Sequence, residues 1–133
     1  MANSRVEWVK MCNSNITEAR NNKNAIETAP HSKIESAYSV FDEYRTVYCD
    51  KLSTDIKGID KVLQETFGPF GLTLAKYDVS TGTALDKLIS SANDILDRLK
   101  TVADADSYKQ ICIDAFDAEI EFFESIEYMY VPA

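Results

Sequence analysis

Few residues of this 133-residue chain could do chemistry by type and spacing. The single histidine, His31, stands beside Pro30 where a helix should begin, and reads as a surface residue. Without a second histidine there is no paired Glu-x-x-His, so a ferritin-like di-iron bundle is excluded in its usual form. No His-Glu-x-x-His or Cys-x-x-Cys offers a zinc site. Asp104, Asp106 and Asp114 lack the glycine and closing glutamate of a calcium loop. Phosphate cradles are absent too, because Gly68-Pro69-Phe70-Gly71 loses a donor at the proline and no lysine follows. A Ser-His-Asp or Cys-His arrangement would have to use His31. Cys12, Cys49 and Cys112 have nothing nearby in sequence to depress a thiol pKa, and each falls in or beside an apolar helical stripe. Their odd number fits buried thiols in a reducing compartment better than a disulfide framework. The chain therefore reads as non-enzymatic, with no metal and no cofactor.

Carboxylates are the exception. Asp114, Asp117, Glu121 and Glu124 fall at i, i+3, i+7 and i+10, which sets four acids along one helix face about 5–6 Å apart. Glu119 and Glu127 extend the charge to the flanks, and Lys109 is the lone cation of the segment. Like charges so spaced oppose helix formation by a few tenths of a kcal/mol per pair, so folding alone gives no reason to gather them. The net charge of −8 is concentrated in the same place: residues 104–133 carry −7, whereas 1–30, 31–67 and 68–103 carry +1, −2 and 0. An acidic chain is repelled by nucleic acid and by anionic membranes, so direct binding of either is not expected. A basic protein is the natural complement.

The elements that must carry this row read as four amphipathic helices. The first starts at Ser4-Arg5-Val6-Glu7, a capping-box pattern, with the stripe Trp8, Cys12, Ile16 and Ala19. The polar stretch Asn21-Asn22-Lys23-Asn24 weakens it, and it should fray or end before Pro30. The second starts at a further capping box, Ser32-Lys33-Ile34-Glu35. Its apolar residues recur from Ile34 through Phe41, Tyr44, Tyr48, Leu52, Ile56 and Leu63 to Phe67, with Gly58 the one weak point. Unbroken, it would be about 36 residues and ~54 Å long; otherwise Gly58 bends it. Gly68 and Pro69 stop it, and residues 68–82 read as a loop. The third helix starts near Thr83, with Leu85, Leu88/Ile89, Ala92, Ile95/Leu96 and Leu99 as its stripe. The fourth runs from Asp104 or Asp106 to about Tyr128 and buries Cys112, Phe116, Ile120, Phe123 and Ile126. Its short link to the third makes a C-terminal helical hairpin. Apolar residues off the main stripe, Tyr108, Ile111, Ile113, Phe122, Tyr128, Met129 and Tyr130, place it centrally or against a partner.

The fold expected is thus a single all-α domain, a four-helix bundle-like, elongated molecule with one long central helix. No stretch without charge exceeds ten residues and the N-terminus lacks a signal-peptide core, so a cytoplasmic chain is expected (host cytoplasm if viral). Small, acidic, helical and without motifs, it resembles many phage-encoded accessory proteins, among them anti-restriction and anti-CRISPR inhibitors and immunity proteins. That resemblance is one of composition and size. The leading expectation is an inhibitor or adaptor that docks Asp114, Asp117, Glu121 and Glu124 on a basic surface of a partner, as DNA mimics occupy a nucleic-acid-binding groove. Tyr128 and Tyr130 would add buried area. Tyr38, Tyr44 and Tyr48, with Phe67 and Phe70, form a second aromatic candidate surface that reads mostly as core. The alternative is an assembly protein, a helical homo-oligomer or filament held by apolar helix faces.

Overall fold

The computed structural model describes the backbone of residues 4–59, 61, 62, 65 and 79–127, with side chains from Val6 onward in the first stretch and from Ala84 onward in the last. Within these residues the chain is all-helical, without a strand: α1 Ser4–Glu27, α2 His31–Glu43, α3 Arg45–Lys57, α4 Val79–Thr101 and α5 Ala105–Ile126. The Phe67–Phe70 turn, Tyr128 and Tyr130 lie outside them.

Helix α5 is the central element. It packs against α1, against α4 and, near its start, against α2, while α3 lies on α4. Two apolar cores result. One joins Trp8, Cys12 and Ile16 of α1 to Ala84 of α4 and to Phe122, Phe123 and Ile126 of α5. The other joins Phe41 and Cys49 to Ile95, Leu96, Val102 and Ile111. The α1 stripe read from the sequence is buried in full, Trp8 and Cys12 completely. The Trp8 indole also donates to the Ile126 carbonyl at 2.9 Å, fixing the start of the chain to the end of α5.

Because α5 meets different neighbours along its length, no single stripe of it is buried. Ile111 and Phe122, expected off the main stripe, are core residues, whereas Cys112, Phe116 and Ile120 are half-buried. Its start follows expectation. Asp104 is the N-cap, accepting from the Ser107 amide at 2.7 Å and from the Ser107 hydroxyl at 3.1 Å. These bonds to the carboxylate hold Asp104 below its ordinary pKa. The three-residue link makes α4 and α5 the expected hairpin.

Two local expectations are corrected. The capping box at Ser32 does not form; Pro30 holds the N-cap position, without a side-chain cap, and its carbonyl accepts from the Lys33 and Ile34 amides. Helix α4 begins at Val79, so the last part of the 68–82 loop is helical. Helix α1 runs through the asparagines to Glu27 and ends before Pro30, as expected.

The long second helix is also broken, and first at Tyr44 rather than Gly58. Tyr44 has φ −110° and ψ 20°, and Gly58 ends α3 with φ −94° and ψ 6°. Helical geometry resumes at Ile59. A straight rod could not lie on α5 with one half and on α4 with the other. The bend is pinned by Arg45, whose guanidinium donates to the carbonyls of Leu99 and Val102, closing the C-terminal end of α4. The Tyr38 hydroxyl donates to the same Val102 carbonyl at 3.1 Å. Asp42 pairs with Arg45 at 2.8 Å, and the cation lies 5.1 Å from the Phe41 ring centre.

Replacing Arg45 by Met should leave those carbonyls without their charged donor and cost about 2 kcal/mol in urea unfolding. Arg45→Lys should recover part of the loss, because one ammonium cannot reproduce the fork that serves two carbonyls. Full stability in Arg45→Met would show that the bend is held by something else.

Candidate protein-binding face

The four carboxylates of the row lie on the exposed ridge of α5, as their spacing requires. Each is met by a cation of the chain itself. Asp114 pairs with Arg98 at 2.8 Å and also accepts from the Gln110 amide at 2.8 Å. Asp117 pairs with Lys23 at 2.7 Å, Glu121 with Lys87, and Glu124 with Arg20 at 2.8 Å. The pairing alternates. Asp114 and Glu121, seven apart, turn toward α4; Asp117 and Glu124, also seven apart, turn toward α1. The 3-4-3 spacing thus lets one ridge tie down the helices on both of its sides.

This accounts for the length of α1. Its weak segment, Asn21 to Asn24, follows Arg20 and contains Lys23, both anchored on α5. Lys109 of α5 donates to the Glu27 carbonyl at 3.3 Å at the helix end. Asp117 holds Lys23 above its ordinary pKa by hydrogen bonding, against the opposing effect of burial. The pairs are largely exposed, so each contributes little alone. Together they make the ridge a zwitterionic surface at close range, while the net −8 remains in the far field.

A different face is left apolar. Between α2 and α3 on one side and the α4–α5 hairpin on the other is an open notch of about 280 Å³. Its floor is Ile95, Leu99, Ile111 and Ala115, and Ala37, Val40, Phe41 and Tyr48 wall it. Phe41 stacks between Tyr48, at 6.1 Å between ring centres, and Tyr108, at 4.9 Å. In and beside the notch wall, Val40, Tyr44 and Val47 remain 51%, 49% and 63% exposed, and Tyr48 46%. They form a second apolar stripe along α2 and α3, apart from the buried one of Ile34, Phe41 and Cys49. The sequence reading placed Tyr44 and Tyr48 mostly in the core. It passed over Val40 and Val47, although their spacing of four and three around Tyr44 is the signal that could have found them.

The notch is electrically neutral inside. Burial, with a hydrogen bond to Cys112, pushes the Tyr108 phenol up to about 12. Burial likewise raises the Cys112 thiol. Neither group ionises near neutral pH, and neither is an activated nucleophile. Among the described residues no group of three or more His, Cys, Asp or Glu side chains could hold a metal ion. No helix among them is long and apolar enough to cross a membrane.

The sequence placed Glu119 only at the flank of the acid row. It is half-buried, one helical turn beyond Ala115 on the same face of α5 as Cys112, and it approaches Glu18 of α1. Burial and then the Glu18 charge raise its carboxyl above the ordinary value. No family model, curated protein or solved structure matches the chain.

Two measurements check this electrostatic arrangement. Neutralising Asp117 and Glu124 together, as Asn and Gln, should reduce hydrogen-exchange protection of the amides of residues 21–27 while leaving those around Trp8 unchanged. The second concerns Glu119. Since folding raises its pKa, the folded state holds the proton more tightly than the unfolded chain, and ionisation opposes folding. That opposition sets in as pH rises through the ordinary value of 4.5 and is complete above the folded one. Glu119→Gln should therefore raise Tm at neutral pH by about 1–4 °C, with the gain disappearing in acid.

Proposed function

We propose that this chain is a non-enzymatic protein-binding protein, an inhibitor or adaptor, whose partner is basic. One observation carries the reading: folding leaves Val40, Tyr44, Val47 and Tyr48 about half exposed around an apolar notch built by four helices. Four such side chains expose on the order of 300–400 Å², the size of patch that marks an interaction site on an otherwise polar surface. Aromatic side chains beside a pocket are the usual anchors of such contacts. The charge of −8 supplies the second half of the argument, since it accelerates encounter with a cationic protein and repels nucleic acid and anionic lipid.

The narrower form, mimicry of DNA by the Asp114–Glu124 row against a nucleic-acid-binding protein, has the phosphate-like spacing in its favour. The four internal ion pairs weigh against it, because a row already neutralised by Arg20, Lys23, Lys87 and Arg98 must exchange partners to dock. Contact through the notch needs no such exchange. A homo-oligomer held by the exposed stripe is the second reading, favoured by the outward position of Val40 and Val47.

Affinity capture from a cell lysate at low and high salt, with light scattering on the purified chain, separates these. The wild-type chain should retain a basic protein that Val40→Asp/Val47→Asp loses and Asp117→Asn/Glu121→Gln keeps. Loss on the acid-row variant instead would favour mimicry. A defined oligomer that persists at high salt and is split by the valine changes would favour assembly.

A further inference from the structure

We propose that the notch receives one face of an amphipathic helix from the partner protein, with an apolar anchor side chain inside it and a lysine or arginine, one turn further along, set against Glu119 and Glu18. This rests on the protein-binding reading above and names the partner's chemistry.

The size of the notch comes first. About 280 Å³ has room for one leucine, phenylalanine or tryptophan side chain and lies at the lower edge of the range for small-molecule sites. Its lining is apolar, and its phenol and thiol stay neutral, so the group inside must be apolar as well. The rim gives the shape of the occupant. Ala37, Val40, Tyr44 and Val47 run along α2 and α3 over about three helical turns, through the bend at Tyr44, a rim that suits a docked helix presenting side chains at i, i+3 and i+7.

Charge decides between a foreign helix and a second copy. At the α5 end of the notch, Ala115 is followed one turn later by Glu119, and among the described residues Glu119 has no ion-pair partner. What it has is Glu18, a like charge, and partial burial, both of which disfavour its ionised form. A cation placed there would relieve both effects. Five of the chain's cations are committed elsewhere: Arg20, Lys23, Lys87 and Arg98 to the acid ridge, and Arg45 to Asp42 and the end of α4. A second copy would bring a further −8 to the contact, whereas a basic amphipathic helix brings the missing charge.

The test uses the full chain and a synthetic four-turn amphipathic peptide of leucine and lysine, against the same peptide with glutamate for lysine, by titration calorimetry at low and high salt. The lysine peptide should bind and the glutamate peptide should not. Val40→Asp should weaken binding about tenfold. Glu119→Gln, which helps the fold, should weaken it about three- to tenfold and flatten its salt dependence. Asp117→Asn/Glu121→Gln should bind within about twofold of wild type. Equal binding of both peptides, no binding, or binding indifferent to Val40 and Glu119 overturns the proposal. So does a sedimentation result in which the wild-type chain is a dimer that Val40→Asp splits, since the occupant is then a second copy. If the peptide fails while lysate capture still depends on Val40, only the helix-and-cation chemistry falls. If capture also returns nothing, the protein-binding reading falls with it.

Discussion

The structure depends on α5 being enclosed by helices that come from both ends of the chain. Its apolar side is divided between two cores, so it cannot be removed from either without opening the other. Its polar ridge is not idle: the carboxylates reach sideways to α1 and α4 and hold both along the exposed seam. Burial supplies most of the free energy, and the ion pairs supply registration, since a slip of α1 by one turn would put Arg20 and Lys23 opposite the wrong acids. Trp8 and Arg45 finish the enclosure, each donating to a carbonyl in the C-terminal part of a helix.

That arrangement changes what a concentration of negative charge means in this molecule. A row of acids on one helix invites a reading as a docking surface. Here the complementary cations are supplied by two other segments of the same chain, and the row acts as a clamp. The surface left unsatisfied by folding is apolar and lies elsewhere, around Phe41, Tyr48 and Tyr108, with a single under-compensated carboxylate beside it. Interaction chemistry is better sought where folding leaves demand unmet than where charge is merely dense.

The parts legible in the sequence are those decided within one helix. The Trp8-Cys12-Ile16-Ala19 stripe, the Asp104 cap and the short link of the hairpin follow from spacing and side-chain chemistry alone. The parts that were not legible need two helices at once. Nothing in the residues around Tyr44 breaks a helix; the bend exists because α2 and α3 are drawn to different neighbours and Arg45 is tied to the end of α4. The asparagine-rich tail of α1 is weak by propensity, and Arg20 and Lys23 hold it by finding acids some hundred residues away. The capping box at Ser32 shows the converse, a correct local pattern displaced by one that starts two residues earlier. For the candidate site, periodicity shows that α2 and α3 carry apolar residues on two sides, but not which side the hairpin covers. The meeting of Glu18 with Glu119 depends on how α1 crosses α5, which no pattern within either helix encodes.

The division into two cores has a consequence for watching this molecule at work. The chain's one indole sits wholly within the core that the notch does not belong to. Its emission therefore monitors the anchoring of the N-terminal helix and is silent about the opposite lobe. Reporting on events beside Phe41 requires a chromophore placed there, and Cys112, already lining that wall, is the native handle to which one could be attached.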